Sequence, residues 1–145
     1  MNVVTMARIS HSCYEKLGVR GLAQLFKNLN RVIYACDIAY QVELDKSVIL
    51  PHQGLGVVMH PGTKIGKNCT IFQNTTFGAK HNGEDPGAPI VGDNVMIGCG
   101  AVLLGSIHIG NNVVIAANAV VLSDVPDNCT AAGAPAKIIK RRTNA

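Results

Sequence analysis

The sequence predicts an all-β solenoid of short parallel strands behind a helical N-terminal segment. Residues 91–125 count in sixes. Val91, Ile97, Leu103, Ile109, Ile115 and Val121 are evenly spaced, and a small or branched residue follows each by four, at Val95, Ala101, Ile107, Val113, Ala119 and Val125. An internal repeat outranks local propensity. Apolar residues make up 48% of the chain, yet aromatics are 4% and Trp is absent. Such a core must be built from thin, regular layers of Val, Ile, Leu and Ala rather than from large rings.

A period of six fits neither a helix nor a plain strand. Six extended residues span about 20 Å. If each six makes one flat side and one turn, the chain coils, and successive coils pair as parallel strands about 4.8 Å apart. One coil alone buries little, so stacking supplies the core. The large aliphatic residue points inward, the residue four later sits near a corner, and Gly or Asn tolerates the turn dihedrals.

Residues 1–35 read differently. Val4, Ala7, Ile9, Tyr14 and Leu17 suggest a short helix that Gly18 breaks; Leu22, Leu25, Phe26, Leu29, Val32 and Ile33 then recur at three and four, a helical period. Arg20, Lys27 and Arg31 lie off that stripe. The second helix is expected to cap the open end of the array or to form an oligomer contact, in preference to lying on a membrane surface.

The frame begins at Ile38, Leu44 and Leu50, and three extra residues intervene before Met59. It resumes at Ile65, Ile71 and Phe77, with Cys69 and Thr75 at small inward positions. A second break, the polar Gly/Pro-rich residues 79–89, precedes the long regular run. Pro126 ends the frame, and residues 131–140 form a tail. The domains expected are a helical cap at 1–35, the solenoid at 36–140 and a tail at 141–145.

Net charge is +4, with Lys137, Lys140, Arg141 and Arg142 clustered near the end. Four charges are too few for a nucleic-acid surface; they suit one anionic ligand or a solvated tail. The five cysteines are odd in number, form no C-x-x-C and follow no secretory leader, which implies reduced, cytoplasmic thiols. No apolar run approaches the roughly 18 residues of a membrane span.

Hexads such as Ile65-Gly66-Lys67-Asn68-Cys69-Thr70 resemble the hexapeptide repeat of the acyltransferase superfamily. Within it the chain is most similar to serine acetyltransferases and their short relatives, through Cys36-Asp37-Ile38, Leu50-Pro51-His52, Ile71-Phe72-Gln73-Asn74, Met96-Ile97-Gly98 and Ala132-Gly133-Ala134-Pro135-Ala136-Lys137. The resemblance covers residues 36–140; about 35 residues stand where full serine acetyltransferases carry a large helical domain. It implies a left-handed parallel β-helix, a homotrimer with active sites between subunits, and acetyl-CoA as acetyl donor without a metal.

His52 interrupts the frame, so it is no core filler, and Pro51 and a nearby Gly hold it in an exposed bend. A neutral imidazole accepts a proton from an alcohol at neutral pH. The resemblance makes His52 the general base and Asp37 its carboxylate partner, fixing the tautomer. It places oxyanion donors near Gly78 and Ala79, and the CoA arm along Ala79, Cys99 and Ala117, where small side chains permit close approach. Lys137, Lys140 and Arg141 then meet the CoA phosphates.

Two features depart from the family. Pro51 replaces the acidic residue before the catalytic His, and Gly87-Ala88 replace an Arg-His pair before Pro89. Those family side chains grip serine, so the acceptor expected here is another hydroxyl, such as a sugar of a surface polysaccharide, with serine itself as the alternative. The candidates to take their place in the same loop are His81, Glu84 and Asp85. Two other classes compete with this reading. A metal enzyme similar to γ-class carbonic anhydrases would use His52, His60, His81 and His108, but lacks an H-x₄-H spacing. A non-catalytic scaffold would bind no acetyl-CoA.

Overall fold

The computed structural model describes residues 2–80 and 87–141. Helix α1 (Val3–Glu15) starts where the Asn2 side chain accepts the Thr5 N–H at 2.8 Å, a standard N-cap. Gly18, at φ +65°, turns the chain into α2 (Arg20–Tyr34). Val3, Val4 and Ala7 of α1 join one apolar core with Ile38, Leu50 and Val57. The hairpin is tied by Ser10 Oγ donating to the Ala23 carbonyl at 2.7 Å and by Asn30 Nδ2 donating to the Val3 carbonyl at 3.4 Å.

The apolar stripe of α2 does not face the array. Only Ala23 and Asn30 of this helix are buried, whereas Leu22, Leu25, Leu29, Val32 and Ile33 are exposed, Val32 at 82%. The reason is placement: α1 makes the apolar contact with the first circuit, while α2 meets that circuit through Lys27 and Arg31 and buries only small Ala23 and polar Asn30. Periodicity shows which residues share a face, not what that face meets.

Fourteen strands follow among the described residues. One sheet stacks β1 (Asp37–Ile38), β3 (Val58–Met59), β6 (Thr76–Gly78), β9 (Val102–Leu104) and β12 (Val120–Val121). The second stacks β2 (Glu43–Leu44), β4 (Lys64–Ile65), β7 (Ile90–Val91) and β10 (His108–Ile109). The third stacks β5 (Thr70–Ile71), β8 (Met96–Ile97), β11 (Val114–Ile115), β13 (Cys129–Ala132) and β14 (Lys137–Arg141). The chain visits the three sheets in rotation, adding one parallel rung to each per circuit.

The six-residue count appears in the register. Ile38, Met59, Phe77, Leu103 and Val121 align up the first sheet. Leu44, Ile65, Val91 and Ile109 align up the second, and Ile71, Ile97, Ile115 and Ala131 up the third. The residues four later are buried as well: Cys69, Val95, Ala101, Val113 and Ala119 lie at 0–1% exposure. Asn68, Asn94, Asn112 and Asn128 turn one corner in the left-handed region. Their amides are laddered, Asn68 Nδ2 donating to Asn94 Oδ1 at 3.3 Å and Asn112 Nδ2 to Asn128 Oδ1 at 3.0 Å. Gly98 answers a different demand. A Cβ there would stand 2.5 Å from the Ala117 nitrogen, so the rungs could not close on any larger residue.

The segment read as a tail is not one. β14 folds back antiparallel on β13, pairing Cys129 with Arg141 and Thr130 with Lys140. It covers the last parallel rung of the third sheet, an edge that would otherwise offer unpaired backbone groups.

Candidate active site

The first break in the count forms a tight turn, Pro51–Gly54, that carries His52. His52 (φ 55°) and Gln53 (φ 57°) are both left-handed, which costs a non-glycine residue roughly 1–2 kcal/mol. Every other left-handed residue described is Gly or Asn, except Ala35. Ala35 is adjacent: Gly56 N–H donates to its carbonyl at 2.9 Å. The turn is pinned further by Val57 N–H to Gly54 O and by Asn74 N–H to Leu55 O, each at 2.9 Å. Concentrated backbone strain, held in place by its surroundings, marks functional sites. The His52 side chain lies in solvent reach.

Asp37 sits one strand away, its N–H donating to the Val57 carbonyl at 2.8 Å. Gly56 and Val57, which follow the His52 turn, therefore run beside Ala35 and Asp37. The ion pairs of the carboxylate run to Lys27 Nζ at 3.0 Å and Arg31 at 3.6 Å. These two cations are the residues that sequence reasoning missed. Their spacing of four along one helix face was the available signal.

The small residues proposed for the CoA arm fall into two groups. Gly100 N–H donates to Gln73 O at 3.0 Å, and Asn118 N–H to Cys99 O at 2.9 Å. Gln73, Cys99 and Ala117 thus succeed one another up the corner whose lowest rung is the His52 turn. Gln73 belongs to the family-like stretch Ile71-Phe72-Gln73-Asn74, and its amide oxygen is buried without a partner, a rare state for a side chain. Gly78 and Ala79 stand elsewhere. The His52 turn lies where strands enter the first sheet, whereas Gly78 ends β6, where they leave it. There Gly105 N–H donates to Gly78 O at 2.9 Å and Lys80 Nζ to Leu122 O at 3.1 Å. Lys137, Lys140 and Arg141 are exposed on β14. His81, Glu84 and Asp85 lie outside the described residues.

One cavity lies away from His52. It measures about 530 Å³ between α1 and the second sheet, with Arg8, His11, Lys16, Asp45, Lys67 and Asp93 in its lining. Among the described residues no three His, Cys, Asp or Glu side chains converge as a metal site would require.

Cys36 adjoins the site and is 2% exposed. Burial first, then the charge of Asp37, pushes its thiol up to about 11. Burial raises the Cys69 thiol in the same direction. A thiol held protonated by the fold contributes stability that is complete below its unfolded value and lost as pH rises through its folded value. Urea midpoints of the native chain are therefore expected to fall between the ordinary thiol range and about pH 11. The loss from Cys36 is on the order of 2 kcal/mol, and Cys36→Ala should flatten that slope; an unchanged slope would refute the assignment.

The model of the bacterial transferase hexapeptide (six repeats) matches residues 88–123. The serine acetyltransferase of Synechococcus elongatus is 36% identical over 135 residues, covering 92% of this chain and 54% of that protein. The crystal structure of Neisseria gonorrhoeae serine acetyltransferase superposes with a TM-score of 0.91 at 34% identity, covering 99% of this chain and 54% of the other. Brucella abortus serine acetyltransferase in complex with coenzyme A gives 0.88 at 31%, covering 98% and 56%. The chain spans about half the length of these proteins. Its two helices and its three stacked sheets are both part of the shared fold, and the chain is similar to the serine acetyltransferases over nearly all of its own length, with a hexapeptide-repeat match at residues 88–123.

Proposed function

We propose that this chain is an acyltransferase that moves an acetyl group from acetyl-CoA to an acceptor hydroxyl, with His52 as general base. The observation that carries the reading is the cluster of left-handed Ala35, His52 and Gln53 at the break in the repeat, in a chain similar to serine acetyltransferases. His52 removes the acceptor proton, and the oxygen attacks the thioester carbonyl. The tetrahedral oxyanion is held by backbone N–H groups near Gly78 and Ala79. It collapses by breaking the C–S bond, and the leaving thiolate takes the proton from the imidazolium. The products are an O-acetyl ester and free CoA.

Asp37 has two jobs in this reading. It orients His52, and it anchors α2 through its ion pairs with Lys27 and Arg31. Because the His52 turn and Gly78 lie on opposite edges of one sheet, a complete site draws one edge from each of two subunits, which favours the homotrimer. The coil is read as left-handed, with the hairpin covering its first circuit. CoA runs up the Gln73–Cys99–Ala117 corner, and Lys137, Lys140 and Arg141 meet its phosphates.

The acceptor we favour is a sugar hydroxyl, since Pro51 and Gly87-Ala88 offer no group to grip an amino acid. Serine is the second reading, favoured by the relatives. Thiol release from acetyl-CoA should be measured with serine, homoserine and a panel of sugars. Release with a sugar and not with serine is the expected result; release with serine alone selects the second reading, and release with no acceptor overturns the enzyme reading.

A further inference from the structure

Of the two helices, α2 turns its apolar stripe away from the protein. Leu22, Leu25, Leu29, Val32 and Ile33 are exposed, and Leu17 and Val19 at the hairpin turn extend the patch at 66% and 46% exposure. The orientation is fixed, because Lys27 and Arg31 on the opposite arc are tied to Asp37 of β1. α2 carries no acidic residue at all.

Charge is segregated in the same place. Residues 3–34 hold five basic side chains, Arg8, Lys16, Arg20, Lys27 and Arg31, against one acid, Glu15. Lys27 and Arg31 are engaged by Asp37, which leaves Arg8, Lys16 and Arg20 against Glu15, still a net positive hairpin. Two copies meeting hairpin to hairpin would bring like charge against like. An anionic partner would not suffer that repulsion. A helix with Leu and Val on one face, Arg and Lys on the other and little overall hydrophobicity is the form that lies in a lipid interface.

We propose that the hairpin docks this protein on an anionic lipid surface, with Leu22, Leu25, Leu29 and Val32 entering the interface. The inference does not depend on the acetyl-transfer reading. The test is co-sedimentation of the full chain with phosphatidylcholine vesicles, with and without about one third phosphatidylglycerol. Binding should require the anionic lipid and drop several-fold when salt is raised from roughly 0.1 M to 1 M. The exposed-face variant Leu25→Ser/Val32→Ser should lose about tenfold or more of the bound fraction, with circular dichroism and thiol release unchanged. Absence of binding to either vesicle overturns the proposal, as does binding indifferent to lipid charge and salt. Sedimentation velocity supplies the rival outcome: a wild-type species larger than the double variant, without lipid binding, assigns the face to a second copy.

Discussion

His52→Ala is expected to lower the rate of thiol release about 10²–10⁴-fold, the range a positioned general base supplies. Elution volume and circular dichroism should not change, because the side chain is exposed and contributes nothing to the core. His52→Gly adds a control. It should be equally inactive yet more stable than the alanine variant, since only Gly enters the left-handed region without a steric penalty. The His52 turn would then be a place where the chain keeps strain that a functionless loop would have shed. Full activity in either variant refutes the assignment.

Phe77→Ala should cost about 3–5 kcal/mol, the usual loss for emptying a buried aromatic site. That is a large part of the roughly 5–15 kcal/mol that holds a domain together. Phe77 is fully buried, in register between Met59 and Leu103 on neighbouring rungs. Aromatics are so few here that no neighbouring ring stands ready to fill the gap. Urea denaturation measures the loss, with Leu122→Ala, at a 38% exposed position, as the near-neutral reference. A loss below about 1 kcal/mol would show that the rungs close over the space, contrary to the packing argument.

Much of the rung architecture could be read from the sequence because it is a stacking problem with one repeated solution. Each aligned position meets its own counterpart, so Ile71, Ile97 and Ile115 face the same demand. The corner asparagines were legible for the same reason. Single events were not. The outward stripe of α2 depends on which helix reaches the array first, and β14 on a reversal that leaves no period. The ion pairs of Asp37 join residues ten and six positions apart across a helix end, where no repeat reports them. His52 was visible as an interruption, and its left-handed backbone now gives that interruption a physical content. The acceptor-gripping positions remain the least legible, since two family side chains are replaced by Pro51 and Gly87-Ala88.

The corner that rises from the His52 turn through Gln73, Cys99 and Ala117 has a further consequence. Each step along it is one rung, about 4.8 Å. The separation between His52 and the basic strand β14 is therefore counted in rungs rather than set by any flexible segment. The array works as a ruler with discrete marks. Deleting one circuit would bring the two ends closer by one mark and leave each end intact, so under the proposed CoA path the length of ligand accommodated would be set by the number of repeats.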